Sequence, residues 1–198
     1  NFCFNYSKYV FKVLFYIIIT VKKSENEVTG LAHLIREISI QDVEAFTKLL
    51  SSIYDDADYM LYNPGEYAPS QSTIISNLER IITSPSNTIF VAEYNDELVG
   101  YAIVETEDLE RAKHEAKFTM GVIKHYREKG LGQSLINSVE AWCLNRHIRR
   151  IEISVVPQNT TAVTLFKNAG YQIEGELRDK LYIDHKYYNK YVMSKLLL

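Results

Sequence analysis

The ten residues YREKGLGQSL, Tyr126 to Leu135, constrain this chain more than any other stretch. They set Gly130 and Gly132 one residue apart, three positions after Arg127. An apolar, strand-like run from Phe118 to Ile123 comes before them, and apolar residues at helical spacing come after. Glycine accepts positive φ and lets backbone approach a neighbour without a Cβ in the way. A glycine loop that opens a helix offers several backbone N–H groups and the positive end of the helix dipole to an anion.

Three phosphate-binding patterns compete for this loop. The dinucleotide pattern GxGxxG needs a third glycine, where Leu135 stands. The P-loop needs a lysine after its last glycine, where Gln133 stands, and its first glycine falls on Arg127. The pattern [Q/R]xxGx[G/A] is met in full by Arg127, Gly130 and Gly132. In that reading the N–H groups of Gly130, Leu131, Gly132, Gln133 and Ser134 face a pyrophosphate, and Arg127, with Lys129 in the same loop, adds positive charge. The plainer alternative is a tight strand-to-helix turn that needs glycine only for its dihedral angles.

The flanking patterns place the loop in a mixed sheet. Leu34–Ser39 reads as a strand, followed by a helix with Val43, Phe46, Leu49, Leu50 and Ile53 on one face. A loop from Asp55 to Ser70 broken at Pro64–Gly65 leads to a second helix carrying Ile74, Ile75, Leu78, Ile81 and Ile82. Thr88–Tyr94 and Leu98–Glu105 flank Asn95-Asp96-Glu97 as a hairpin. Ala116–Ile123 is a strand, and the helix after the loop runs to about Asn145. Arg150–Val155 alternates as a strand, and Ala162, Leu165, Phe166 and Ala169 mark a short helix closed by Gly170. Strands near 171–177 and 187–195, joined by a polar turn near Asp184, finish the chain. The order β α α β β β α β α β β is that of an α/β (α+β mixed) fold, not a doubly wound alternation.

Composition limits the function classes. Hydrophobic residues make up 46 % and charged residues 24 % of 198 residues, which suits a globular domain with its own core. A net charge of −3 carries no signature of nucleic-acid binding. Cys3 and Cys143 lie in no metal-binding spacing, so no metal is expected. The aromatic and β-branched run Tyr9–Val21 is short for a membrane span, and Lys12 interrupts it. Residues 1–28 are therefore expected to be an N-terminal extension outside a domain spanning 29–198, with Val28 a candidate start. A membrane anchor or an added element packed on the domain are the alternatives; no membrane association is expected.

The segment VVPQNTTAVTLFKNAGYQIEGE, Val155 to Glu176, follows the loop at a characteristic distance. Arg127, Gly130 and Gly132, then Asn159, Ala162, Leu165, Gly170 and Tyr171, then EGELRDK and the tail YYNKYVMSKLL, together resemble the GNAT superfamily of acetyl-CoA-dependent N-acetyltransferases. The resemblance covers about Leu34 to Leu197 and is nearest the bacterial branch acting on amino acids and other small amines. It implies a mixed twisted sheet with a splayed strand pair and about four helices. Acetyl-CoA is the implied co-substrate, with pantetheine between the strand ending near Ile123 and the strand beginning near Arg150. Val122 and Ile123 would hold pantetheine and thioester, a backbone N–H near Val122 would polarise the carbonyl, and Asn159, Ala162 and Phe166 would line the second side. The acceptor would be a small-molecule or amino-terminal amine, and the protein a cytoplasmic monomer or homodimer.

One departure bears on the chemistry. Many relatives carry a tyrosine at the position of Phe166, where it protonates the departing thiolate. Phenylalanine donates no proton, so water, Tyr171 or Tyr182 would have to serve. For the base, Glu105, His114 and Glu115 fall on or near the strands expected to floor the acceptor pocket, and His114 has the intrinsic pKa closest to neutrality. Glu93 falls mid-strand, facing either the site or solvent. Tyr54, Tyr59, Tyr62 and Tyr67 cluster with Asp55, Asp56 and Asp58 in the first interhelical loop, where they would roof an ammonium-binding site or form an ordinary polar surface. Arg149 and Arg150 would reach the CoA 3′-phosphate or remain exposed charges.

Overall fold

A computed structural model describes residues 33–197. The expected extension over residues 1–28, with Cys3, lies outside the described residues.

The helices form where the sequence places an apolar stripe. Helix α1 (Val43–Asp55) buries Val43, Phe46, Leu49, Leu50 and Ile53, and α2 (Gln71–Thr83) buries Ile74 and Leu78. Ser70 caps α2 by accepting the Thr73 N–H at 3.2 Å. Helix α3 (Leu131–Asn145) buries Leu131, Leu135, Ile136, Val139, Trp142 and Cys143, and α4 (Thr160–Asn168) buries Phe166. These four helices pack on a seven-stranded sheet made of β1 (Leu34–Glu37), β2 (Thr88–Tyr94), β3 (Glu97–Thr106), β4 (Glu115–Val122), β5 (Arg150–Val155), β6 (Gln172–Ile183) and β7 (Lys186–Leu196).

The sheet order is β1-β2-β3-β4-β5-β7-β6. Every neighbouring pair is antiparallel except β4 and β5. Two apolar layers cover the sheet. Side chains of α1 and α2 pack with Ile89, Val91 and Tyr101 on one face. Those of α3 and α4 pack with Phe90, Ala102, Val104, Phe118, Ile151, Ile153 and Met193 on the other. The alternation of strand residues between the two layers is the period of two that the sequence displays.

The length of β6 differs from the sequence reading. Strand β6 runs on to Ile183 rather than ending near Leu177, because the register shifts between Leu177 and Leu181 and pairing then resumes at Leu181 with Tyr188. Asp179 at that bulge has φ +52, and its N–H is held by the Asn189 Oδ1 at 3.0 Å. The hairpin turns at Asp184 and His185, both at positive φ, as do Asn95 and Asp96 between β2 and β3. Paired positive φ values are what a two-residue hairpin turn requires.

Candidate active site

Parallel pairing between β4 and β5 is confined to Glu115 with Arg150, Ala116 with Ile151 and Lys117 with Glu152. Beyond that point β4 continues to Val122 and β5 to Val155 as separate edges. The two strands therefore splay, closed at Glu115 and open toward the glycine loop. The Ile123 N–H is given to the Val99 carbonyl of β3 at 3.0 Å. By strand alternation, the backbone groups of Val122, Met120 and Phe118 turn the other way, toward the split. A bulge in the β2–β3 ladder, where Ala92 pairs with Gly100 but Glu93 with Leu98, leaves Val99 as the extra residue.

At the mouth of the split, Glu128 and Gly130 have φ of +60 and +83. Gly130 caps α3 in the left-handed conformation, and a Cβ built on it would meet nothing within 4 Å. Its glycine is a matter of dihedral angle. Gly132 differs: a Cβ there would stand 2.8 Å from the Leu165 Cδ2, so this glycine sets how closely α3 and α4 approach across the split. Gly121 does the same on the opposite face, where a Cβ would stand 2.9 Å from Ile53 and Tyr101.

Among the described residues, the N–H groups of Gly130, Leu131, Gly132 and Gln133 donate to no protein acceptor. They are the orphan donors of a helix start. Ser134 is a correction to the expected set. Its N–H donates to the Gly130 carbonyl at 3.0 Å, and its Oγ lies 2.8 Å from the His33 Nε2. Arg127 is held in place, its Nε donating to the Val122 carbonyl at 2.9 Å. That bond ties the loop to the end of β4 and leaves the terminal nitrogens at the mouth. The Lys129 ammonium lies 5.4 Å from the Tyr126 ring centre. Four orphan N–H groups with an arginine and a lysine beside them suit a pyrophosphate, and the cleft-facing edge of β4 suits an amide-bearing arm.

On the far side, Asn159 caps α4, its Oδ1 accepting the Ala162 N–H at 3.1 Å. Ala162 and Leu165 are partly buried against the core. Phe166 does not line the split. It is 6 % exposed and packs on Phe118 and Tyr171, with ring centres 6.0 and 5.6 Å away. The first residue after the Gly170 turn, Tyr171, is also a core residue at 2 % exposure. Its hydroxyl has no partner among the described residues, and burial pushes its pKa up, with the Glu140 charge adding to the shift. Tyr171 is therefore no proton donor to a ligand in the split. Tyr182 sits near the hairpin end, exposed and 3.4 Å from the His185 Nδ1.

The expected bases are also relocated. Glu115 begins β4, roughly 23 Å along the strand from Val122 at about 3.3 Å per residue. Its carboxylate faces Arg150 at 3.5 Å. His114 precedes it and is exposed, its carbonyl accepting the Arg149 and Arg150 N–H groups. Glu105 is exposed and pairs with Lys117 at the same closed end. None of the three is brought to Val122. Arg150 is bound by Glu115, Glu152 and Glu174 at the closed end, and so is no phosphate ligand. Glu93 is bound to Arg36 at 2.8 Å, which also holds Asp42.

The tyrosine loop is packed. Tyr54, Tyr62 and Tyr67 meet with ring centres 4.6 to 5.2 Å apart. Burial raises the pKa of Tyr54 and of the buried Tyr101 beneath it. Asp55 holds the Gly65 N–H at 2.9 Å, bracing the loop across its base. Tyr59 reaches Tyr188 of β7, with ring centres 5.6 Å apart. The loop thus spans from α1 to β7 on the face of the sheet that carries α1. Tyr188 and Lys190 on that face were not singled out from sequence; alternation along YYNKYVMS, with Met193 inward, is the signal that finds them.

The comparisons agree with this geometry. The sequence matches the acetyltransferase (GNAT) domain family over residues 35–192, and the chain belongs to that family. It is 25 % identical over 119 residues to the L-amino acid N-acetyltransferase AaaT of Escherichia coli (strain K12), covering 60 % of this chain and 74 % of that protein. The acetyltransferase of GNAT family from Streptococcus pneumoniae superposes with a TM-score of 0.79 at 24 % identity, over 84 % of this chain and 100 % of the other. Structure yncA from Salmonella typhimurium, solved with its cofactor acetyl-CoA, superposes at 0.73 with 16 % identity, over 84 % and 95 %. The activity this family membership carries is acetyl-CoA-dependent acetylation of an amine-bearing substrate. Among the described residues, no helix is long and apolar enough to cross a membrane, and no group of three or more His, Cys, Asp and Glu could hold a metal ion.

Proposed function

We propose that this chain moves acetyl from acetyl-CoA to the primary amine of a small molecule, in the first place an amino acid, by direct attack. The observation that carries the reading is the end of β4–β5 pairing at Lys117 and Glu152, with four orphan N–H groups at the open end of the split. Gly130, Leu131, Gly132 and Gln133 would hold the pyrophosphate by N–H groups, with Arg127 and Lys129 supplying charge. The inward-facing backbone of Met120 would pair with a pantetheine amide, with Leu165, Ala162 and the cap at Asn159 across from it.

Acetyl-CoA supplies a thioester there, whose carbonyl carbon takes the amine lone pair and whose C–S bond breaks as one proton passes from the amine to the departing thiolate. The Val122 N–H, aimed into the split, would stabilise the carbonyl oxygen as it gains charge. Alkyl ammonium groups have pKa near 10.4, so the attacking nitrogen must first lose a proton. With His114, Glu115 and Glu105 at the closed end, water takes that proton, and water also protonates the thiolate. Phe166 and Tyr171 contribute packing.

A small acceptor is favoured by the packed tyrosine roof and its Tyr59–Tyr188 contact, and by the likeness to an L-amino acid N-acetyltransferase. The test is thiol release from acetyl-CoA by the purified chain with amino acids, polyamines, aminoglycosides and short peptides bearing free N-termini. Release with amino acids supports the reading. Release with peptides alone points to a protein N-terminal acetyltransferase. Tight acetyl-CoA binding with no release on any amine points to an acyl-CoA sensor.

A further inference from the structure

Among the described residues, the face of the sheet that carries α1 bears Lys117, Arg150, Lys186 and Lys190 on β4, β5 and β7. Lys117 is neutralised by Glu152 at 3.7 Å, and Arg150 by Glu115, Glu152 and Glu174. Lys186 and Lys190 have no ion pair among the described residues, and Lys186 is exposed at the hairpin end whereas Lys190 is not. The face of Lys190 follows from the register. Met193 pairs with Ile153, and both lie in the layer beneath α3. Ser194, Val192, Lys190 and Tyr188 therefore point to the other side, under the loop whose Tyr59 touches Tyr188. Lys190 stands just past Tyr191, the partner of Val155, and so at the open end of the split. It is half-buried.

A half-buried ammonium without a carboxylate is costly, because it loses water and gains no compensating charge. Its pKa is lowered by burial, and by the like charge of Lys180 on β6. An anion beside Nζ would offset both by charge. An acceptor with an ammonium alone would add a third positive charge beside Lys190 and Lys180.

We infer that Lys190 binds the carboxylate of the acceptor, so that the substrate class is free amino acids carrying an unblocked α-carboxyl group. The contact is a charge-assisted hydrogen bond from Nζ to a carboxylate oxygen. It orients the amine toward the thioester side of the split while the carboxylate stays at β7. Lys190 is a specificity-determining residue; it takes no part in bond making. This inference rests on the acetyl-transfer reading above.

The test compares the twenty L-amino acids with their primary amides in the wild type, Lys190→Met and Lys190→Arg. The expected result is a preference for acids over amides in the wild type. Lys190→Met raises KM for the acids at least tenfold, with kcat unchanged and amide kinetics unchanged. Lys190→Arg keeps most of the preference. Equal use of acids and amides by the wild type, or an equal loss on both in Lys190→Met, overturns the inference while leaving the transferase reading intact. Thiol release with no amine at all sinks the transferase reading instead. Amino-acid binding then decides Lys190 separately, by backbone and side-chain NMR shifts at Tyr188 and Lys190: shifts with the acid and not the amide support it, and shifts with both or neither overturn it.

Discussion

Substituting Gly132 by alanine separates two reasons for a glycine at this position. A Cβ at Gly132 would stand 2.8 Å from the Leu165 Cδ2, and next nearest is the Met120 Cε at 3.6 Å. Carbon pairs prefer about 3.5–4.0 Å, so the first contact is too short by roughly 1 Å. Overpacking of this kind costs about 1–3 kcal/mol. Leu165 is a partly buried side chain whose end can turn aside, which places Gly132→Ala near the low end, about 1 kcal/mol. Trimming the neighbour removes the contact altogether. In a Leu165→Ala background, Gly132→Ala should cost close to nothing, or gain a few tenths of a kcal/mol from alanine's better helix propensity. The double-mutant cycle, read by urea denaturation of the four proteins, should then give a coupling of about 1 kcal/mol. Equal destabilisation by Gly132→Ala in both backgrounds would refute the reasoning that this glycine sets the distance between α3 and α4. If the glycine instead serves close approach of a ligand, acetyl-CoA affinity will fall tenfold or more on adding Gly132→Ala to Leu165→Ala, with stability unchanged.

The other predictions concern different parts of the site. Arg127→Ala loses a charge-assisted bond to the Val122 carbonyl and positive charge at the mouth, so acetyl-CoA should bind about 10- to 100-fold more weakly by calorimetry, from roughly 1.5–3 kcal/mol for hydrogen bonds to charged groups. Tyr171→Phe removes a buried hydroxyl with no partner among the described residues, so kcat should be unchanged and the melting temperature unchanged or higher. Single substitutions of Glu105, His114 and Glu115 by Gln should leave the pH profile of kcat/KM in place, since all three lie at the closed end. Hydrogen bonding to Arg36 holds the Asp42 carboxyl down at about 2, below its ordinary 3.8. The lowered value means that this pair stabilises the fold fully above about pH 4 and that the contribution is lost as pH falls toward 2. An Asp42→Asn variant should show a flatter acid-unfolding curve through that range.

Much of the architecture is legible in the residues because local signals and burial agree. The stripe Val43, Phe46, Leu49, Leu50, Ile53 and the alternation of Ile151, Ile153, Val155 each name their inner face, and both are buried as spaced. Asn95-Asp96 names its hairpin by tolerance of positive φ. The bulge that prolongs β6 through Arg178–Lys180 is not legible, because it depends on Asn189 reaching across from β7. At the loop, the left-handed Gly130 that opens α3 is legible from the motif. The placement of the candidate bases is not. Sequence proximity puts His114 and Glu115 next to the strand that ends at Val122, but a strand advances about 3.3 Å per residue, and Glu115 begins it, with His114 just before, at the end remote from Val122. Phe166 and Tyr171 lie close to the loop in the family pattern, yet their aromatic rings close the core with Phe118. Lys190 escapes notice because an isolated lysine in a strand reads as surface; only the loss of a partner beneath the Tyr59–Tyr188 contact makes it distinctive.

The most direct measurement is a titration of uniformly 15N-labelled protein with acetyl-CoA, followed by backbone amide shifts. The account predicts the largest changes at Met120, Val122 and the loop from Gly130 to Gln133, with the amides of Glu105, His114 and Glu115 undisturbed. Saturable binding whose shifts fall at the closed end, around Arg150 and Glu174, or an absence of change at the loop, would contradict it.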